Sequence, residues 1–321
     1  MLVGARSAPV RHRYSDDSEH LQALMVDLPP FSVPPCAAST ACRLSIDKFA
    51  LTFNVSDRRE KRELLRMLHG FKHARRSRLY WRAHARRCGR LGGGTVHLYW
   101  GARYRNCRSC RIEFNPNRVF RDGATTQAGA VVVRALALAE RDSIRVNRLD
   151  IAVDLPVALC DVQAVPDRVR CWQPYPESPD AAGVKAVYLG TPKSERQLVQ
   201  YDKRWKRGGR KRTRYEMRLR PKRLLCLADL PDLPNCFADI RFCSLRPNGL
   251  PPSRRLKVQR ARLCGLPSLL EELKRFKWER FVHAHLLTDT SVAVPHPRRV
   301  FDEQWRAVST SLLRQLRYDV M

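Results

Sequence analysis

The chain runs to 321 residues, enough for about two domains with a sizeable buried core. Its 61 Lys and Arg against 31 Asp and Glu give a net charge of +30, which points to nucleic acid first and an anionic membrane second. A hydrophobic fraction of 44% excludes wholesale disorder, and the lack of any run of about 18 apolar residues excludes a spanning helix.

Residues 1–44 read as a loose lead-in, with Pro29, Pro30, Pro34 and Pro35 and no sustained periodicity. Met1 to Tyr14 carries arginines but no apolar h-region, so a cytoplasmic location in a bacterial host is expected. The 11 cysteines are expected to be mostly reduced thiols. Order begins with a β-rich run over 45–55, after which Ser56 is placed to cap a helix carrying Leu64, Leu65, Leu68 and Phe71 on one face. Strands follow at 95–100 and 110–114, the second stopped by Asn115-Pro116, and an Ala-, Val- and Leu-rich helix covers 125–141.

Two further strands matter most. In Arg148–Asp154, Leu149, Ile151 and Val153 share one face while Asp150 and Asp154 share the other. In Arg214–Arg218, Tyr215 and Met217 alternate with Arg214, Glu216 and Arg218. Between them lie strands around Tyr188 and Tyr201. From Pro221 onward the pattern changes, with helices expected at 268–275, started by a Ser268/Glu271 capping box, and at 301–317. The expected fold is α+β: a mainly antiparallel sheet with flanking helices over 45–225, then a smaller helical region over 226–321 that is a candidate for DNA specificity or partner binding. Asp47 to Asp150 and Glu113 to Glu216 are both 103 residues apart, and Arg111-Ile112-Glu113 aligns with Arg214-Tyr215-Glu216. This offset suggests an internally duplicated strand–helix–strand unit, although short strands also coincide by chance. At that offset Leu51 stands opposite Asp154.

Asp150, Asp154 and Glu216 have the oxygen chemistry that Mg²⁺ or Mn²⁺ takes; alternatively they pair with Arg148, Arg214 and Arg218. Two basic runs, 13 Lys and Arg over 58–90 and 12 over 203–223, lie beside Tyr80, Trp81 and Trp205, which suits phosphate contact and base stacking. Lys193 and Ser194 after Gly190 could hold a phosphate but lack the spacing of a nucleotide loop, so ATP binding is not expected. Cys107 and Cys110 form a C-x₂-C pair without a matching second pair, and His84, Cys88 and His97 fit a zinc site poorly. His283 and His285 read as surface residues.

The segments Asp47–Val55, Arg111–Asn117, Arg148–Asp154, Tyr188–Lys203 and Arg214–Arg220, in that order, resemble the replication initiation factor family. These are rolling-circle initiators of filamentous phages and small plasmids, with related conjugative relaxases. The resemblance covers roughly 45–225 and implies metal-dependent nicking of origin DNA through a tyrosine. It makes Tyr201 the nucleophile, ahead of Tyr188 and Tyr215. It strengthens Asp150, Asp154 and Glu216 as ligands of Mg²⁺ or Mn²⁺, and Lys193, Ser194, Lys203, Arg204 and Arg214 as phosphate contacts. The chain departs from the family pattern at Thr191 and Pro192 and lacks a glutamate after Lys203. The implied partners are single-stranded or supercoiled origin DNA and a host helicase and polymerase, with no membrane, and a homodimer is allowed. A non-catalytic DNA-binding regulator or packaging protein on the same fold, or a relaxase, are the alternatives.

Overall fold

The computed structural model describes residues 42–67, 72–73, 78–87, 95–120, 127–166, 172–175, 186–203, 212–223, 225–245, 251–264, 266 and 296–318. The expected 268–275 helix, residues 1–41 of the 1–44 lead-in, Leu68, Phe71, Cys88, Arg204, Trp205, His283 and His285 lie outside them; Arg43 and Leu44, expected in the lead-in, already belong to the first strand.

Thirteen strands and five α-helices are described. In chain order they run β1 (Arg43–Phe53), α1 (Arg58–Met67), β2 (Lys72–His73), β3 (Tyr80–Arg87), β4 (Thr95–Ala102), β5 (Cys110–Phe114), α2 (Pro116–Val119) and α3 (Gln127–Ala137). Then come β6 (Arg145–Leu155), β7 (Val162–Pro166), β8 (Trp172–Tyr175), β9 (Ala186–Leu189), β10 (Arg196–Asp202), β11 (Thr213–Leu219), β12 (Leu225–Cys226), β13 (Ile240–Ser244), α4 (Pro252–Cys264) and α5 (Pro297–Gln315). The α+β class with a mainly antiparallel sheet is as expected. Eleven strands form one sheet in the order β2-β3-β4-β5-β1-β6-β11-β10-β9-β8, with β12 on the end of β6, and every pairing is antiparallel.

That order is palindromic about the β1–β6 seam, which gives the suggested duplication a physical form. Each strand of the first half has a counterpart in the second: β1 with β6, β5 with β11, β4 with β10, β3 with β9 and β2 with β8. Ala50 opposes Glu113 in one half and Ala152 opposes Glu216 in the other. Tyr99 opposes Arg111 as Tyr201 opposes Arg214. The constant offset of 103 needs one correction. Ala50 and Ala152 are 102 residues apart, so Thr52, not Leu51, stands where Asp154 stands. The residue lost from the offset is accounted for by a register shift between Ile46 and Lys48, where β1 bulges against β6.

Alternation splits the sheet into two chemistries. One face, with Phe49, Leu51, Phe53, Leu98, Ile112, Phe114, Leu149, Ile151, Val153, Leu198, Tyr215 and Met217, is buried in the apolar core. The other face carries the charged and polar side chains. Tyr215 is fully buried, packs edge-on to Phe242 at 5.3 Å, and donates to the Val162 carbonyl at 2.9 Å, which removes it as a nucleophile.

Local signals explain most helix starts. Asp57, not Ser56, caps α1: its carboxylate accepts from the backbone N–H of Arg59 and of Glu60. The Ser56 hydroxyl instead donates to Glu140. Pro252 and Pro297 occupy first-turn positions of α4 and α5, where a missing N–H costs nothing. Pro251 and Pro252 therefore open a helix. α4 is tied to β7 by Gln163, which donates to the Ala261 carbonyl at 3.5 Å and accepts from Leu266 N–H, just past the helix, at 2.7 Å; Arg262 of α4 donates to Asp161, just before β7, at 2.7 Å. α5 lies against β1: Gln304 accepts from Leu44 N–H at 3.0 Å, and Trp305 donates to the Leu230 carbonyl at 3.1 Å. Phe301 and Trp305 stack at 5.0 Å. Among the described residues no helix is long and apolar enough to cross a membrane.

Phe49 sits at the seam, fully buried and edge-on to Phe114 at 5.8 Å. Phe49→Ala should lower unfolding free energy by about 3–5 kcal/mol, with Phe49→Leu costing clearly less, as read from urea denaturation midpoints.

Candidate active site

The seam strand β6 places Asp150 and Asp154 four residues apart on the polar face, and β11 places Glu216 opposite Ala152, midway between them. All three carboxylates are buried. A buried carboxylate is costly unless it is paired and hydrogen-bonded, and each of these is. Arg148 grips Asp150 with a fork, Nε to Oδ1 at 2.9 Å and Nη2 to Oδ2 at 2.6 Å. Arg214 grips Asp154 in the same way, at 2.7 and 2.9 Å, and its remaining Nη1 donates to Asp47. Lys203 adds a third donor to Asp154. Arg218 donates to Glu216 Oε1 at 2.7 Å and lies 6.0 Å from the Tyr188 ring. The other oxygen of Glu216 accepts from the Tyr201 hydroxyl at 3.4 Å.

These contacts set the protonation states. Burial alone would raise the Asp154 carboxyl, but the bonds and charges of Arg214 and Lys203 hold it below the ordinary value of 3.8. Burial and the neighbouring Arg214 charge lower the Lys203 ammonium in spite of its bond to Asp154. Arg214 is partly desolvated, yet Asp154 and Asp47 hold its proton more firmly than an ordinary arginine's. Burial, then the Glu216 charge, push the Tyr201 phenol well above its ordinary value, while Arg214 pulls the other way. Tyr201 is therefore protonated at neutral pH, and its hydroxyl donates to the Glu216 carboxylate.

Tyr201, Glu216, Asp154, Lys203 and Arg214 are thus brought together, with Asp150 next along the same face. Lys193 and Ser194 are not. They sit in the turn between β9 and β10, at the Arg196 end of β10, about 17 Å along the strand from Tyr201. Lys193 is exposed, and Ser194 accepts from Thr191 N–H at 3.1 Å, closing its own turn. Gly190 is required there. Its φ is +91°, and a Cβ would stand 2.9 Å from the Arg196 carbonyl oxygen. Asp47 was the residue that alternation missed as an Arg214 partner: it occupies the β1 bulge, where a period-two reading slips.

Mg²⁺ or Mn²⁺ was expected at Asp150, Asp154 and Glu216. As arranged, this donor set does not fit a divalent cation. Among the described residues no group of three His, Cys, Asp or Glu side chains is placed to hold a metal. The carboxylates face guanidinium and ammonium groups that a cation would have to displace. Cys107 and Cys110 are free thiols, and burial pushes the Cys110 thiol up to about 11, as suits an inert packing residue.

No protein-family model and no curated protein matches the chain. Among solved structures, the chain is similar to a rolling circle replication initiator protein from Geobacillus stearothermophilus, at 16% identity and a TM-score of 0.38, covering 76% of this chain and 96% of that one.

The Asp154–Arg214 fork should be the costliest contact of the polar face to break. Asp154→Ala leaves Arg214 and Lys203 partly unpaired and should destabilise by about 3–5 kcal/mol. The pH dependence has a defined sign. The folded carboxyl titrates below the unfolded one, so the contribution is present above about pH 4 and is lost as pH falls through the folded value. Denaturant titrations between about pH 3 and pH 7 should therefore show a shallower acid limb for Asp154→Asn than for the parent.

Proposed function

We propose that the protein is a strand-nicking nuclease that initiates rolling-circle replication of a phage or plasmid. The observation that carries this reading is the Tyr201 hydroxyl resting on the Glu216 carboxylate at 3.4 Å inside a cluster of fixed cations. In the proposed reaction Tyr201 Oη attacks a phosphodiester phosphorus of origin DNA while Glu216 accepts the phenolic proton. The new bond is phosphotyrosyl, to the 5′ phosphate. The bond that breaks is P–O3′, and the departing oxygen takes up a proton to become the 3′-OH primer for a host polymerase. The phosphodiester energy is conserved in the phosphotyrosyl link, so the cut can be rejoined. The raised phenol pKa makes a base necessary, and Glu216 is the group in reach.

The net charge of +30 supports a polyanionic substrate, and the motif order supports the rolling-circle class. A second reading, a non-catalytic DNA-binding protein on this fold, is favoured by one observation: Arg214, expected to bind phosphate, has all three guanidinium nitrogens on carboxylates.

A single-stranded origin oligonucleotide should form an SDS-resistant adduct with the parent protein, and Tyr201→Phe should bind the same oligonucleotide but form none. Glu216→Gln should slow adduct formation by about 10²–10⁴-fold, the usual worth of a general base. An adduct on Tyr201→Phe would overturn the nucleophile, and the absence of any adduct on the parent would favour the second reading. Running the assay in EDTA addresses the metal. Adducts that survive chelation assign charge neutralisation to the cations of the chain; adducts that require Mg²⁺ or Mn²⁺ show that the carboxylates release their arginine partners.

A further inference from the structure

The palindromic sheet carries a second polar cluster, at the positions that mirror Tyr201, Arg214 and Glu216. There Tyr99 opposes Arg111 across β4 and β5, and Glu113 is the counterpart of Glu216. Glu113 accepts from Arg111 Nη2 at 2.8 Å and from Lys48. Arg111 stands 5.7 Å from the Tyr99 ring centre, and the His97 ring lies near-parallel to Tyr99 at 6.3 Å.

The two clusters differ in how their cations are paired. Among the described residues around Tyr201, Arg148, Lys203, Arg214 and Arg218 are each paired with Asp47, Asp150, Asp154 or Glu216, and Arg220 is close enough to feel the Asp150 charge. Among the described residues around Tyr99, Lys48 and Arg111 share the carboxylate of Glu113. Thr52 stands where the second half has Asp154, so Arg111 lacks the counterpart of the Asp154 fork and pairs instead with Glu113, whose counterpart Glu216 is held by Arg218. Arg111 Nε is buried with no hydrogen-bond partner. Lys48 and Arg111 remain partly exposed, at 38% and 22% of their side-chain surfaces. Lys48 and Arg111, partly exposed and sharing the Glu113 carboxylate beside the Tyr99 and His97 rings, form the combination that holds single-stranded nucleic acid.

We propose that the first half of the sheet is a substrate-positioning site for a single DNA strand, in which Arg111 and Lys48 bind a backbone phosphate and an unpaired base stacks on Tyr99. The scissile phosphate lies at Tyr201 of the second half, so this inference rests on the nucleic-acid reading above. One strand of DNA crosses the β1–β6 seam between the two clusters. Tyr99 and Tyr201 are five strand spacings apart, about 24 Å along the sheet. Division of labour follows: one copy of the duplicated unit supplies affinity, the other supplies the reacting groups.

The test separates binding from chemistry. Oligonucleotides of about 4 and about 16 nucleotides, each containing the nicking position, bracket the reach of single-strand sites. Tyr99→Leu and Arg111→Gln should each raise KM for the long substrate about tenfold, leave kcat within about twofold, and leave the short substrate unchanged. Arg111→Gln should also reduce the slope of log affinity against log salt by about 0.7, one phosphate on a single strand. Equilibrium binding of the long oligonucleotide by fluorescence anisotropy gives the same comparison without any adduct. Parent protein that binds no oligonucleotide overturns the nucleic-acid reading and this inference together. Parent protein that binds, with both variants matching it at both lengths, overturns this inference alone. Equal losses at both lengths, or a lowered melting temperature that accounts for the loss, show a structural role and also overturn it.

Discussion

The antiparallel seam between β1 and β6 is the constraint on which the rest of the molecule depends. Each of these strands is eleven residues long, and each presents an unbroken apolar row to one side. A one-residue slip of either would send Leu149, Ile151 and Val153 to the polar face and the two aspartates into the core. The cost of burying unpaired carboxylates among Phe49, Leu51 and Phe53 forbids that slip. The register therefore follows from hydrophobic burial on one face and from ion pairing on the other. Everything laid outward from the seam inherits it: Glu216 between the aspartates, Tyr201 opposite Arg214, and Tyr99 opposite Arg111.

The bulge in β1 shows how a local irregularity serves a distant contact. It releases Asp47 from strict alternation and brings its carboxylate to Arg214, 167 residues away in the chain. Arg214 then bridges three strands, β1, β6 and β11, through Asp47 and Asp154. A guanidinium with every nitrogen engaged is rigid, and its charge is already compensated. It suits a group that orients Tyr201 and Glu216 better than one that waits for a phosphate. Arg148 and Arg218 pin the other two carboxylates.

The two halves of the sheet look alike in backbone pairing and differ in chemistry. The backbone pairing is set by main-chain hydrogen bonds and an apolar face, both tolerant of substitution on the polar side. Exchanging a threonine for an aspartate at the Thr52/Asp154 position changes the partners of the facing arginine without disturbing the sheet. The proposed division between a binding half and a reacting half needs no more than such exchanges.

The sequence by itself determined the α+β class, the seam strands with their two chemically distinct faces, the core role of Tyr215 and Met217, and the grouping of Asp154, Tyr201, Arg214 and Glu216 within a few strands of one another. The class, the faces and the core positions were legible because period-two alternation and charge depend only on neighbours in the chain, and the placing of Tyr201 beside the carboxylates came with the motif resemblance. Tertiary structure alone decided the rest. It chose arginine pairing over metal geometry for Asp150, Asp154 and Glu216, because which donor reaches a carboxylate depends on cross-strand register. It set Lys193 and Ser194 at the far end of the β9–β10 hairpin, because hairpin direction separates residues that sequence proximity places together. It laid α5 against β1, 260 residues away through the Leu44–Gln304 bond. Distances of that kind are fixed by packing, which no local pattern in the chain encodes.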